Sequence, residues 1–377
     1  MAGPRIIPRG MQFWPSIDEP LGADDVVRMY DQGFAGAYEE PEETAAFEDL
    51  IRERGGTPDG EQVAMSAGFA ESGKGKLSLP FIHAVEMLPG CLPGPAQQRG
   101  DCVAHSEKNA NLITYACEVA AGLPDEVTGL IERMPVISSL GILQGAFSTE
   151  VYYWFRRHAG DGWSCDASSR VAMREAGKVT RDNHPGIGVD LTRYSGRNAG
   201  RYGRNPPTGA VAAAVNNNLI RNATTLRDRE ARRDMLANGY ALHTCGSEGF
   251  ARTRNQHGVS RRSGSWAHAM SVIGFDDRPW AHQTYGGSLD LYLNSWSIWN
   301  SGPRDIHDSA KYIPAEKRQR WIEVGLVNRD TGNIMIPHGA FWARSSDVSR
   351  RRVIAKSGVD GWPRLGVPLD LGVEGWQ

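Results

Sequence analysis

Cysteine is scarce in this chain. There are five among 377 residues, at positions 91, 102, 117, 165 and 245. So low and odd a number speaks against a disulfide framework and for a reducing compartment, so a cytoplasmic or virion-associated location is expected. No run of about 18 apolar residues is present, which excludes a transmembrane helix and membrane partners. The opening residues show no basic stretch followed by an apolar one, so no signal peptide is expected. Net charge is also small, −2, and predicts no general attraction to nucleic acid. Internal repeats are not evident.

What is present is an ordinary globular composition, 40% hydrophobic and 23% charged, enough for one large domain or two. The charge is uneven. Residues 1–60 hold 13 Asp and Glu against 5 Arg, an acidic arm read as solvation rather than self-association. Residues 1–78, rich in proline and glycine, are expected to form an N-terminal extension with one short helix near Thr44–Arg54 and little share in the core. Within them "GFAESGKGK" (Gly68–Lys76) has the glycine and lysine spacing of a phosphate loop. It lacks the hydroxyl after the lysine and a preceding apolar strand, and is read as a linker. The body is expected over 79–345 and a tail over 346–377.

A helix is expected after Cys102, since Leu112, Ala116, Val119 and Ala120 share one face and "AGLP" (Ala121–Pro124) stops it. Residues 125–180 read as mostly helical, most clearly over Ala167–Val179. "RYSGRNAGRYGRNPPTG" (Arg193–Gly209) reads as a solvated loop. Its arginines with Tyr194 and Tyr202 also suit single-stranded nucleic acid, the weaker reading. The last third alternates in hydrophobicity. Strands are expected at Trp266–Phe275, Leu289–Asn294 and Ala340–Arg344, with "DDRP" (Asp276–Pro279) as a turn. Helices first and strands second suggest an α+β fold, a helical half packed against a sheet half.

Three chemistry-bearing residues fall on these elements. Cys102 opens a helix, where the helix dipole and a nearby imidazolium lower a thiol pKa from about 8.5 and make the thiolate a nucleophile. His268 lies in an apolar strand that holds its ring rigidly. Asn294 ends the next strand, 26 residues on, and an amide there orients an imidazole. Trp296 beside it keeps water from that contact. The resting pair expected from such an arrangement is thiolate–imidazolium.

"QQRGDCVAHS", "SWAHAMSVIGF" and "LNSWSIW" together resemble the papain-like cysteine peptidases, in the family's order of Cys, His and Asn, over about Leu79 to Arg344. "GDCV" looks most like divergent members from bacteriophages and bacteria. The resemblance implies a helical half against an antiparallel sheet or barrel half, with the active site between them. It implies Cys102 as nucleophile, His268 as general base and acid, and Asn294 as orienting amide. An oxyanion glutamine would stand about six positions before the cysteine. Gln97, five before, is taken for that role over Gln98, with the Cys102 backbone N–H as second donor. Protein or peptide is the implied substrate, and no cofactor or metal is needed. Ser297 and Asn300 depart from the family's glycines, and Trp299 stands one residue early.

Rival readings remain open at this stage. Cys102-x-x-His105 offers two metal ligands without a second pair. His105 could replace His268 as base, but is expected on a mobile surface, and Asp101 is expected to cap the helix. The fold could also serve as a structural or interaction module of a bacteriophage virion with little or no activity. The acidic arm and the tail with Trp362 and Trp376 would then touch other virion proteins.

Overall fold

The computed structural model describes residues 37–123, 147–296, 301–348 and 351–365. The readings placed on 125–146, Ser297, Trp299, Asn300 and Trp376 lie outside them.

In chain order the described elements begin with β1 (Ala37–Tyr38), α1 (Pro41–Glu53), α2 (Gly60–Ser66), β2 (Leu77–Ser78), α3 (Phe81–Met87) and α4 (Cys102–Ala120). Then come α5 (Thr149–Tyr153), β3 (Trp163–Ser164), α6 (Cys165–Arg174), β4 (Asn183–His184), β5 (Val189–Asp190), α7 (Gly196–Ala199) and α8 (Gly209–Val215). The last part holds β6 (Asn222–Thr225), α9 (Arg229–Ala237), β7 (Leu242–Phe250), β8 (Arg262–Asp276), α10 (Pro279–Tyr285), β9 (Leu289–Leu293), α11 (Ala315–Glu323), β10 (Ala340–Arg344) and β11 (Arg352–Ser357).

Local chemistry starts several of these helices. Pro41 sits in the first turn of α1 with Glu42 and Glu43, where a missing N–H costs nothing and negative charge meets the positive end of the dipole. The Ser164 hydroxyl accepts the Ala167 N–H and caps α6. α4 differs, because it is buried on every face from Cys102 to Glu118. Such a helix is held by packing around its circumference rather than by one apolar stripe.

The main sheet has seven strands in the order β10-β9-β8-β7-β11-β6, with β2 added beside β8. Every pairing in it is antiparallel. It runs as an open path rather than as a closed barrel among the described residues. α4 lies against β8, β7 and β11, and α3, α5 and α6 pack around α4. The expected α+β layering of helices against an antiparallel sheet is therefore present.

Both expected boundaries need correction. Phe47, Leu50 and Ile51 of α1 lie in one apolar cluster with Cys102 and Trp163. Val63 and Phe69 lie in a second, and Leu77 in a third. Residues 41–78 therefore belong to the core, which their proline and glycine content concealed. At the other end β11 inserts between β7 and β6, and Tyr240 donates its hydroxyl to the Pro363 carbonyl at 2.6 Å. Trp362 packs edge-on against Tyr240. The body thus runs through residue 365, not 345. Phe47→Ala should cost about 3–5 kcal/mol of stability in urea unfolding; a loss below about 1 kcal/mol would show that α1 is not part of the cooperative core.

The Gly68–Lys76 segment is tied down rather than a free linker. Glu71 and Gly73 donate their backbone N–H groups to the Asp234 carboxylate at 2.8 and 3.1 Å. Gly75 donates to Asp277 at 2.9 Å. The chain's own carboxylates fill the positions a phosphate would take. No helix among the described residues is long and apolar enough to cross a membrane.

Candidate active site

Cys102 is the first residue of α4 and is fully buried. It shares an apolar cluster with Ala269, the residue after His268. His268 lies on β8, opposite Gly246 of β7. Its Nε2 meets Asn294 Oδ1 at 2.9 Å. The same oxygen accepts the Trp296 N–H at 3.0 Å, which fixes the amide's orientation. The Trp296 ring stacks on His268 with centroids 4.2 Å apart. These contacts set the plane of the imidazole from two sides. They also fix its tautomer, since Nε2 must carry the proton to donate to an amide oxygen.

Gln97 is joined to the same corner. Its backbone N–H donates to the Ser295 carbonyl at 3.1 Å, and Ser295 Oγ donates to its Oε1. Gln97 Nε2 donates one proton to the Arg99 carbonyl at 3.0 Å, and a side-chain amide carries a second. Gln98 is committed elsewhere, its Oε1 accepting from the Gly196 N–H at 2.7 Å.

Burial sets the charge state. It pushes the Cys102 thiol up to about 12, with the Ala269 amide opposing and Asp101 assisting. Burial likewise lowers His268 to about 3, against the Asn294 hydrogen bond and with help from the Arg351 cation. Both groups are neutral in this covered state, unlike the ion pair expected from sequence. Both side chains are buried, so a charge on either would be cut off from solvent.

The cover is β1. It pairs in parallel with β3, Ala37 opposite Trp163 and Tyr38 opposite Ser164, and it also lies against β7 and β8. Ala37 is in one apolar cluster with Cys102 and Ala269.

Several expectations fail here. His105 is not on a mobile surface. It is buried inside α4, edge-on to Tyr194 with centroids 5.0 Å apart, and burial holds its pKa well below the usual range. Asp101 makes no capping bond to α4; its Oδ2 accepts the Tyr194 hydroxyl at 2.6 Å. Cys165 and Cys245 form a disulfide, against the expectation from the cysteine count. They are 80 residues apart, and only the approach of α6 to β7 reveals them as neighbours. His243 lies close enough to both sulfurs for the three to be read as a metal site. The sulfurs, however, are bonded to each other, and the ring meets Ser106 Oγ at 2.7 Å and Ser168 Oγ at 3.0 Å. A disulfide sulfur is no nucleophile, so Cys165 and His243 do not form a catalytic pair.

Arg351 was missed because it sits in a basic run that reads as surface. It is fully buried, and donates to the Glu248 carbonyl at 2.7 Å and the His268 carbonyl at 3.4 Å. It therefore braces β7 and β8 at the bulge beside His268.

No family model matches this chain, and no curated protein does. Among solved structures it is similar to xylellain, a cysteine protease from Xylella fastidiosa, at 13% identity and a TM-score of 0.39, covering 73% of this chain and 88% of that one. It is similar to the digestive procathepsin L2 proteinase of Tenebrio molitor larval midgut at 12% identity and a TM-score of 0.37, covering 71% and 65%. A third is the bromelain protease of Ananas comosus in complex with the E64 inhibitor, at 13% identity and a TM-score of 0.31, covering 72% and 92%. These likenesses are weak, and the reading below stands on the site's own geometry.

Proposed function

We propose that the chain is a papain-like cysteine peptidase that hydrolyses peptide or isopeptide bonds through Cys102, His268 and Asn294, with Gln97 and the Cys102 backbone N–H as oxyanion donors. The observation that carries this is the oriented imidazole. His268 is held by Asn294 at 2.9 Å and stacked by Trp296, and the next residue, Ala269, lies in one apolar cluster with Cys102. In the first step the thiol proton passes to His268, and sulfur attacks the carbonyl carbon. The tetrahedral oxyanion collapses to a thioester as His268 gives its proton to the departing amine. Water, activated by the same imidazole, then hydrolyses the thioester and restores the thiol.

In this reading the segment containing β1 acts as a pro-segment does. Its parallel run beside β3 covers the thiol.

A second reading is favoured by one observation, the complete burial of Cys102. It is a phage virion structural protein that kept the fold with little or no activity. An electrophilic peptide, such as a peptidyl epoxide, separates the two. One adduct is expected, mapped by mass spectrometry to Cys102 and not to Cys91 or Cys117. A folded chain that takes no label, even after the residues before Pro41 are removed, is the scaffold.

A further inference from the structure

We propose that Tyr194 is a positioning residue. Its phenol braces the Gln97–Cys102 turn, so that the oxyanion donors on either side of the reacting carbonyl keep their places. The proposal rests on the peptidase reading above.

The turn from Gln97 to Asp101 makes few bonds of its own and must be held from outside. Tyr194 is buried at 6% exposure. Its hydroxyl accepts the Gln98 backbone N–H at 3.1 Å and donates to Asp101 Oδ2 at 2.6 Å. One phenol oxygen thus joins the residue after Gln97 to the residue before Cys102. A hydrogen bond to a buried carboxylate is among the stronger kinds, and losing it leaves the acceptor unpaired.

The loop that carries Tyr194 is shaped to the turn. Gly196 receives the Gln98 side chain, and Arg99 Nη1 donates to the Gly196 carbonyl at 3.1 Å. A Cβ at Gly196 would come within 2.9 Å of Gln98 Cβ, and one at Gly200 within 1.7 Å of Arg99 Nη1. The first contact is with a Cβ fixed to the turn's backbone, so Gly196 is closely fitted to this path; the second is with the movable end of the Arg99 side chain. From the other side Tyr153 donates its hydroxyl to the Gly100 carbonyl at 3.2 Å, and Gly162 donates its N–H to the same oxygen at 2.9 Å.

This accounts for the arginine- and tyrosine-rich segment that sequence left as a solvated loop or a nucleic-acid contact. Tyr194 faces inward, and Tyr202 packs edge-on against Trp154 with centroids 5.2 Å apart. The Tyr194 ring is therefore committed to the core, and Tyr202 is half-buried.

Oxyanion donors act only if they are aimed at the oxygen before charge develops on it, and removal of one costs about 10²–10³ in kcat. A donor loosened rather than removed should cost less. Tyr194→Phe keeps the ring and its packing on His105 and deletes only the brace. In the full chain we expect kcat for a fluorogenic peptide to fall about ten- to a hundredfold with KM within about twofold. A peptide aldehyde, whose adduct carries the oxyanion, should bind weaker by a similar factor. Alkylation of Cys102 by iodoacetamide, which forms no oxyanion, should stay within about twofold. Both chains carry the same covering strand, so it cancels in each ratio. Asp101→Asn, which still accepts the phenol proton, should retain most of the activity. Asp101→Ala should match Tyr194→Phe, and the double variant should lose little more.

An unchanged kcat in folded Tyr194→Phe overturns the inference. So does a parallel fall in hydrolysis, aldehyde binding and alkylation, which would mark a merely structural role. A chain that neither hydrolyses the peptide nor binds the aldehyde, whole or with the residues before Pro41 removed, overturns the peptidase reading itself, and the role of Tyr194 with it.

Discussion

Replacing His268 by alanine is expected to lower kcat for peptide hydrolysis by about 10⁴- to 10⁶-fold, as for other members of a nucleophile–base pair. The ring has the geometry of a committed base. Asn294 holds Nε2 at 2.9 Å, and Trp296 stacks at 4.2 Å. Ala269, next in sequence, lies in one apolar cluster with Cys102. Without the imidazole nothing takes the thiol proton, and a neutral thiol is a poor nucleophile. His105 provides the contrast. It is equally buried, its ring nitrogens have no hydrogen-bond partner, and no strand presents it to the cleft. His105→Phe, which replaces a buried ring whose Nε2 makes no hydrogen bond and lies 3.7 Å from Asp101 Oδ1, should leave kcat within about threefold. A His268→Ala chain that keeps wild-type turnover would remove His268 from the mechanism.

Uncovering the thiol should have the second largest effect. With β1 in place Cys102 is raised to about 12 by burial, and His268 is lowered to about 3 by the same cause. Each shift disfavours the charged form, so at neutral pH the covered pair is neutral. A chain beginning at Pro41 lacks β1 but keeps α1 and its core residues Phe47, Leu50 and Ile51. Solvent then reaches both groups, the thiol pKa falls and the imidazole pKa rises. At pH 7 a thiol of pKa about 12 is ionised about a thousandfold less than one of about 8.5. Iodoacetamide alkylation at pH 7 should therefore rise about 10³-fold on truncation, and its pH midpoint should move down to about 8.5 or below. If full and shortened chains share one rate–pH curve, β1 does not cover the site. A chain cut at residue 79 tests something else. It also loses Phe47, Val63, Phe69 and Leu77, and should unfold.

Much of this was legible in the sequence. The helix from Cys102 showed through its apolar spacing and its stop at Ala121–Pro124, and the structure gives Cys102–Ala120. The strands expected at Trp266–Phe275, Leu289–Asn294 and Ala340–Arg344 are Arg262–Asp276, Leu289–Leu293 and Ala340–Arg344. Periodicity is a local property, and these segments carry it strongly. His268 and Asn294 were read as a pair because they sit at fixed places on two consecutive strands. Between those strands the expected turn at Asp276–Pro279 is followed by a helix, Pro279–Tyr285.

What escaped depends on contacts between distant segments. β11 carries Arg352 and Lys356 and reads as part of a charged tail. It is a central strand because Lys356 Nζ meets Glu107 Oε2 of α4 at 2.5 Å and Arg352 Nε meets Asp166 at 2.9 Å; a buried charge is tolerated only with such a partner. No alternation rule marks it, since both faces are covered and its polar groups are paired across 249 and 186 residues. Sequence by itself determined which residues could do chemistry and the local elements that carry them, because helix and strand periods are written within a few turns of chain. Tertiary structure alone decided the rest. It brought Cys165 to Cys245, turned Tyr194 inward beneath the Gln97–Cys102 turn, and laid β1 against β7 and β8. Those outcomes follow from how packed elements meet, and burial then sets the charge on Cys102 and His268, a property no isolated segment possesses.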